Sequence, residues 1–173
     1  MKPLATFALV LVLVLGGCGG SVSPSPLPCA TVSPVASVGA LLEPGVARLA
    51  GGHGCVADGV RGSWTLDGAH SESPWPPTSA LEPMLLSTDD LVLVGWADGA
   101  PIGEWTAQIG AASDASGASA QDAGSGDAGG ADFFTFGHVS SGEWVLAVTL
   151  HRADGRGEAT YYWALRVSGP VAS

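Results

Sequence analysis

A strict two-residue alternation in the last third of the sequence constrains the fold most strongly. Apolar residues occupy every second position of two stretches, 143–151 and 158–167, which are separated by the glycine-rich residues 153–157. The alternating set is Trp144, Leu146, Val148, Leu150, Ala159, Tyr161, Trp163, Leu165 and Val167. Because strand side chains point alternately to the two faces of a sheet, this pattern predicts a β-hairpin with one buried face.

Shorter strand patterns precede this hairpin. Residues 60–66 alternate, and residues 91–96 form a short apolar run followed by turn residues 97–101. Trp105, Ala107 and Ile109 then share one face, which predicts that 91–96 and the strand after the turn form a second hairpin. No stretch after residue 18 has a helical period, and Gly and Pro interrupt every long candidate. The pattern therefore predicts an all-β sandwich.

One local motif resembles a known family. Residues 140–146, Ser-Ser-Gly-Glu-Trp-Val-Leu, resemble the corner that enters the penultimate strand of immunoglobulin-like and fibronectin-type domains. Trp144 stands where that family usually has Tyr, and Leu146 stands where antibody domains have Cys. The resemblance covers about residues 133–168 and implies a single immunoglobulin-like antiparallel β-sandwich. It implies no function, since this fold hosts many unrelated ones.

The N-terminus has the pattern of an export signal. Lys2 precedes an apolar run over residues 4–15, which is too short to span a membrane and is typical of a signal peptide. Leu15-Gly16-Gly17-Cys18 resembles the lipobox of bacterial lipoproteins. The whole chain is also similar to small lipoproteins that end in a strand containing Tyr-Tyr-Trp. The lipobox implies cleavage before Cys18 and attachment of lipid, including palmitate, to the new N-terminal cysteine. The lipid would anchor the protein at the extracytoplasmic face of the cell membrane. The alternative is an ordinary secretory signal with an incidental Cys18.

The predicted organisation has three parts. Residues 1–17 form the signal peptide, 18–28 the lipidated cysteine and a Ser/Pro/Gly tether, and 29–173 the sandwich domain. Within the domain, residues 111–131 contain only small and polar residues, which predicts a disordered loop. Its carboxylates, Asp114, Asp122 and Asp127, with Asp132 just after it, suggest calcium as an alternative. Their spacing does not match an EF-hand loop or a calcium-binding repeat.

Two cysteines remain after lipidation. Cys29 and Cys55 are predicted to form a disulfide in an oxidising compartment, closing a loop worth about 3–4 kcal/mol in the chain-entropy model. The alternative is a metal site that combines Cys55 with His53. The sequence lacks the Cys-x-x-Cys spacing of zinc sites, so we predict no metal and no cofactor.

Charge excludes one class of partner. Without residues 1–17 the chain has 5 Arg against 16 Asp+Glu, a net charge of −11, and no lysine. Such a surface repels nucleic acid and anionic headgroups, so no nucleic acid is expected and membrane contact should come from the lipid alone.

The sequence contains no motif that indicates catalysis. Gly-x-Ser-x-Gly, His-Glu-x-x-His and lysine-dependent motifs are absent, and His138 and His151 flank a strand with no predicted role, so we predict that the chain is not an enzyme. Trp75, within a proline-rich stretch, and Trp96, beside a turn, are the candidates for exposed partner contacts. The favoured function is a protein-binding or adaptor module. The alternative is a carbohydrate- or cell-wall-binding lipoprotein that uses exposed aromatic residues.

Overall fold

Short strands dominate the computed structural model, which describes residues 43–51, 54–76, 78–114 and 116–170. No helix in these ranges is long and apolar enough to cross a membrane. A 3₁₀ turn covers Thr78–Ala80. The strands are β1 (Ala47–Ala50), β2 (Val56–Asp58), β3 (Val60–Leu66), β4 (Ala69–Ser71), β5 (Pro83–Ser87), β6 (Val92–Trp96), β7 (Ile102–Ala111), β8 (Gln121–Asp127), β9 (Phe133–Gly137), β10 (Gly142–Arg152) and β11 (Gly157–Ser168).

The strands form two sheets. The larger sheet has the order β4-β3-β11-β10-β7-β8, and β5 adds in parallel beside the second half of β11. The smaller sheet has the order β2-β1-β6-β9 and is antiparallel throughout. The predicted all-β antiparallel sandwich is therefore confirmed.

The hairpin predicted from the alternation is the centre of the larger sheet. β10 pairs with β11 in the register that places Trp144 opposite Leu165 and His151 opposite Glu158. Side chains of the predicted apolar face pack against the smaller sheet, and most are almost fully buried. Trp163 also donates a hydrogen bond from Nε1 to the carbonyl of Ala57 at 3.1 Å, which ties the larger sheet to β2 of the smaller one.

The predicted second hairpin is wrong. β6 pairs with β1 and β9 in the smaller sheet, whereas β7 pairs with β10 and β8 in the larger one. The turn after β6 therefore carries the chain from one sheet to the other. Trp96, at the end of β6, packs inward against Tyr161 of β11 with ring centroids 5.5 Å apart. The apolar pattern of both strands reflects burial between the sheets and is unrelated to pairing with each other.

A side-chain hydrogen bond closes the corner before β10. Trp144 donates a hydrogen bond from Nε1 to the carbonyl of Ser140 at 2.9 Å, four residues upstream. In immunoglobulin-like domains a Tyr hydroxyl makes a comparable bond back to the upstream backbone. Gly142 adopts φ 146° at this corner, where a Cβ would lie 2.9 Å from the Trp144 Nε1.

The outer face of the larger sheet carries a second apolar cluster. Its members are Val145, Ala147, Tyr162 and Ala164 from the sheet, together with Leu81 and the half-buried Trp75. The segment between β4 and β5 supplies Trp75 and Leu81, so it crosses this face and covers it. The middle of the hairpin is consequently buried on both faces, so the prediction of a single buried face is wrong there, while Glu143 and Arg166 at its end stay exposed.

The predicted disordered loop at 111–131 is wrong, because this segment contains β8. β8 pairs with β7 in an antiparallel register that places Gly126 opposite Trp105. A Cβ on Gly126 would lie 3.1–3.2 Å from the Trp105 indole, and one on Gly124 would lie 3.5–3.6 Å from its far edge. The strand is held by backbone hydrogen bonds and by an indole lying against bare backbone, so it needs no large apolar side chains of its own.

Candidate functional site

A cleft opens between the two sheets where β8 and β9 approach one another. It encloses about 410 Å³. The larger sheet contributes side chains from β7, β8 and β10, and the smaller sheet contributes β9 and the connection that follows it. The lining residues are Ile109, Ala111, Ser119, Gln121, Ala123, Phe136, His138, Val139, Ser140 and Trp144.

Two half-buried aromatic rings form walls of the cleft. Trp144 is fixed by its Nε1 hydrogen bond to the Ser140 carbonyl. Phe136 lies on β9, and its ring meets Trp105 edge-on with centroids 6.5 Å apart. Trp105 in turn stacks on Phe134 with centroids 4.2 Å apart and planes at 13°. The aromatic walls are therefore held by packing between the sheets.

Polar groups of the cleft come from β8 and the loop before it. Gln121 is exposed and pairs with Ile109, so its side chain shares the inner face of the sheet. Ser119 is held by Asp114, whose carboxylate accepts hydrogen bonds from the Ser119 amide at 2.7 Å and hydroxyl at 2.6 Å. Ser116 donates to the same carboxylate from its amide and hydroxyl. The bonds from Ser119, followed by those from Ser116, hold the pKa of Asp114 well below its usual range.

The cleft lining carries no Asp, Glu, Lys or Arg side chain. Its hydrogen-bonding groups are the Gln121 amide, two serine hydroxyls and the His138 imidazole. Aromatic faces beside these donors and acceptors suit a ligand that has both apolar faces and hydroxyl groups.

A second concave surface lies on the outer face of the larger sheet. His151 on β10 meets Glu158 on β11, with Nδ1 and the carboxylate oxygen 2.9 Å apart. Beside them, the Oγ1 atoms of Thr149 and Thr160 share a hydrogen bond of 2.8 Å. Glu158 and Thr160 continue into an open groove towards β3 and β4. This groove is open to solvent along one sheet face, so it encloses a ligand less than the inter-sheet cleft does.

Both tryptophans predicted as exposed partner contacts are packed in the structure. Trp96 is only 6% exposed and belongs to the main core, so the expectation of an exposed Trp96 is wrong. Trp75 is half-buried, with its ring edge-on to Tyr162 at 5.2 Å. A Cβ on Gly117 would lie 2.5 Å from the Trp75 ring, so the loop before β8 covers its other side. Trp75 therefore presents only part of its ring to solvent.

The cysteines leave two predictions open. Cys18 and Cys29 lie outside the described residues, so lipidation and the bridge stay predictions. Cys55 is half-buried, packs against the main core and lies directly before β2. His53, the alternative metal ligand, also lies outside the described residues. Within the described ranges, no three His, Cys, Asp or Glu residues are grouped as metal ligands.

Three of the four aspartates considered for calcium have other partners. Asp114 binds Ser116 and Ser119, as described above. Asp122 accepts a hydrogen bond from the Gly124 amide at 2.9 Å, and Asp127 accepts one from the Gly129 amide at 2.7 Å. These are local turns within and after β8, in which the carboxylate satisfies a backbone amide two residues ahead.

Comparisons with known proteins give the fold little further context. No family model matches the chain, and no curated protein matches it. Among solved structures, the chain is similar to a Jonesia denitrificans lytic polysaccharide monooxygenase at 11% identity and TM-score 0.36, over 50% of this chain and 58% of that one. It is also similar to HiLPMO9B at 13% identity and TM-score 0.39, over 66% of this chain and 80% of that one. The chain thus spans little more than half the length of the first of these structures.

This finding corrects one prediction from the sequence. The chain was predicted not to be an enzyme, and the solved structures that it resembles include an enzyme. We therefore withdraw that prediction. At TM-scores of 0.36 and 0.39, the likeness assigns no activity, substrate or site to this chain.

Sequence reasoning missed most of the cleft. Trp144 was assigned to the core, and Gln121 and Ser119 lay in the segment predicted to be disordered. The sequence feature that could have predicted β8 is the pair Gly124 and Gly126, which lie two residues apart. Glycines at alternate positions indicate a strand against which another group packs closely.

Proposed function

We propose that this protein is a lipid-anchored, glycan-binding protein that binds its ligand in the cleft between β8 and β9. One observation carries the proposal: the half-buried rings of Phe136 and Trp144 lie beside the uncharged polar groups of Gln121, Ser119 and Ser140. A sugar ring has an apolar face that packs on an aromatic ring and hydroxyl groups that need hydrogen-bond partners at its edge. The cleft supplies both kinds of partner.

The energetics of this arrangement favour such a ligand. Trp144 and Phe136 are already held by packing and by the Ser140 carbonyl, so binding orders few side chains. Ser119 is likewise fixed in place by Asp114 before a ligand arrives. Each direct hydrogen bond to a ligand hydroxyl contributes about 0.5–1.5 kcal/mol.

The chain offers a matched pair of glutamines for the test. Gln121 lines the cleft, whereas Gln108 is exposed on β7, pairs with Asp122 and lies outside the cleft lining. We expect Gln121→Ala to weaken binding of an oligosaccharide identified on a glycan array about 3- to 10-fold, the loss of one or two hydrogen bonds. Gln108→Ala should bind like the wild type. Isothermal titration calorimetry measures both, and equal effects of the two substitutions would refute the cleft as the binding site.

The lipid anchor is a separate part of the proposal. It is supported by Leu15-Gly16-Gly17-Cys18 after a short apolar run. We expect Cys18→Ser to abolish incorporation of labelled palmitate and to release or misprocess the protein. Equal labelling of wild type and variant would refute the anchor without bearing on the cleft.

A second candidate function is protein binding through the outer face of the smaller sheet. The exposed apolar side chains there are Val56, Leu91 and Phe133, which are 43%, 50% and 58% exposed. Register places Val56, Ala50 and Leu93 in one row across β2, β1 and β6. Exposed apolar side chains on one outer sheet face are a feature of interaction sites when they form a contiguous patch.

This candidate has its own test. A photo-crosslinking amino acid at position 133 on intact cells should yield a discrete protein adduct. The same amino acid at position 65, exposed on β3 of the larger sheet, is the control. Identical adducts from both positions, or none from position 133, would refute the adaptor function.

A further inference from the structure

We infer that the cleft selects uncharged glycans and rejects glycans that carry carboxylate groups. This inference rests on the proposed function and adds the class of ligand. It rests on the charges in and near the cleft. The cleft lining has no arginine or lysine, the side chains that usually bind the carboxylates of an acidic polysaccharide.

The carboxylates nearest to the cleft residues in sequence or by contact do not line the cleft. Asp122 follows the cleft residue Gln121, Glu143 precedes Trp144, and Asp114 binds Ser119. Asp122 and Asp114 accept hydrogen bonds only from backbone amides and serine hydroxyls among the contacts described above. Asp114 is the carboxylate bonded directly to a cleft residue, so an acidic ligand beside Ser119 would meet a negative charge.

The arginines supply no cation to the cleft lining. All five are engaged with carboxylates, and the pairs are Arg48–Asp58, Arg61–Glu43, Arg152–Asp154, Arg156–Asp67 and Arg166–Glu143. Glu143, the carboxylate next to Trp144, is thus already paired with Arg166 at 2.9 Å. Lys2 lies outside the described residues and is the only lysine.

Carboxylate recognition in proteins relies on guanidinium or ammonium donors. Arg in particular binds a carboxylate through two parallel charge-assisted hydrogen bonds. A carboxylate that enters the cleft loses part of its hydration and finds no guanidinium or ammonium donor there, which is unfavourable. An uncharged sugar of the same shape makes the same ring contacts without this penalty, so the cleft discriminates by charge.

The experiment compares matched ligands. Uncharged hexaoses of glucose, mannose and galactose are tested against hexauronates of the same linkage, which differ only in a carboxylate at C6 of each ring. We expect at least one hexaose to bind, and its hexauronate to bind about 10-fold or more weakly at about 20 mM salt. The difference should narrow at about 300 mM salt, where screening is stronger. A hexauronate that binds as tightly as its hexaose would overturn the inference while leaving the proposed function standing.

A variant with an added positive charge tests whether the cleft itself discriminates between charged and uncharged glycans. Gln121→Arg places a guanidinium in the cleft, and Gln108→Arg makes the same change in net charge away from it. We expect Gln121→Arg to raise hexauronate affinity about 10-fold and Gln108→Arg to leave the ratio of the two affinities unchanged. Equal gains in both variants would overturn the inference, because the discrimination would then come from net charge alone. If no hexaose and no hexauronate binds the wild type, the proposed function itself fails.

Discussion

Trp75 lies edge-on against Tyr162 on the outer face of the larger sheet, with ring centroids 5.2 Å apart and planes at 68°. The indole belongs to the connection between β4 and β5, and Tyr162 belongs to β11. Gly117, in the loop before β8, packs against the indole. This contact joins three segments that are distant in sequence and covers the second apolar cluster.

Removal of this indole should destabilise the domain. We expect Trp75→Ala to lower the free energy of unfolding by about 2–4 kcal/mol, since it uncovers Tyr162 and its neighbours. Among the described residues, no group accepts a hydrogen bond from the buried Trp75 Nε1, so Trp75→Phe should be tolerated much better. Urea denaturation measures both variants, and the exposed Pro74→Ala is the control. Equal losses for Trp75→Ala and Pro74→Ala would contradict the role of Trp75 as a cover.

Substitutions on the two faces of the larger sheet test how the central hairpin packs. Trp163 is 3% exposed between the sheets, so Trp163→Ala should cost about 3–5 kcal/mol. Thr160 points to the other face, where it is half-buried and bonded to Thr149, so Thr160→Ala should cost about 0.5–1.5 kcal/mol. Thr106→Ala, on the exposed face of β7, should stay within about 0.5 kcal/mol. Thermal unfolding should rank the three variants in this order, and a stable Trp163→Ala would disprove the packing described.

A side chain at Gly126 of β8 should destabilise the domain, because the Trp105 indole packs against the backbone there. Gly126→Val should cost about 1–3 kcal/mol, because its side chain would collide with the Trp105 indole. The neighbouring Ser125 is exposed and points to the opposite face, so Ser125→Val is the matched control and should be close to neutral. Chemical denaturation gives both values. If Gly126→Val were as stable as Ser125→Val, the indole could not lie against β8.

Three aspartates make the stability of the folded domain depend on pH in the acidic range. Hydrogen bonds from Arg156, from Ser119 with Ser116, and from Arg152 lower the pKa of Asp67, Asp114 and Asp154 respectively. A carboxyl group with a lowered folded pKa stabilises the protein above its unfolded pKa of about 3.9, and this stabilisation is lost as pH falls through the folded value.

These groups should therefore leave the urea midpoint unchanged between about pH 7 and pH 5 and lower it below about pH 4. Asp114→Asn should be less stable than the wild type at neutral pH, and the two curves should converge in acid. Urea titrations across this range measure the effect. A constant difference between the two proteins down to about pH 2 would show that the Asp114 carboxylate is not held as described.

The sequence alone determined the hairpin of β10 and β11 and the apolar face that it turns towards the smaller sheet. These features follow from local rules: strand side chains alternate, and glycine-rich residues turn the chain. Each of these rules operates within a few residues, so the sequence contains all the information that they require.

Only the tertiary structure decided the rest. Whether β6 pairs with β7 depends on the competing edges of β1, β9 and β10, which the local pattern does not contain. Trp96 and Trp75 are covered by Tyr161 and Tyr162, which lie far away in sequence. β8 exists because its backbone bonds to β7 and its glycines admit the Trp105 ring. Such burial and pairing depend on contacts between distant segments, and the cleft, which joins both sheets, arises only when those contacts form.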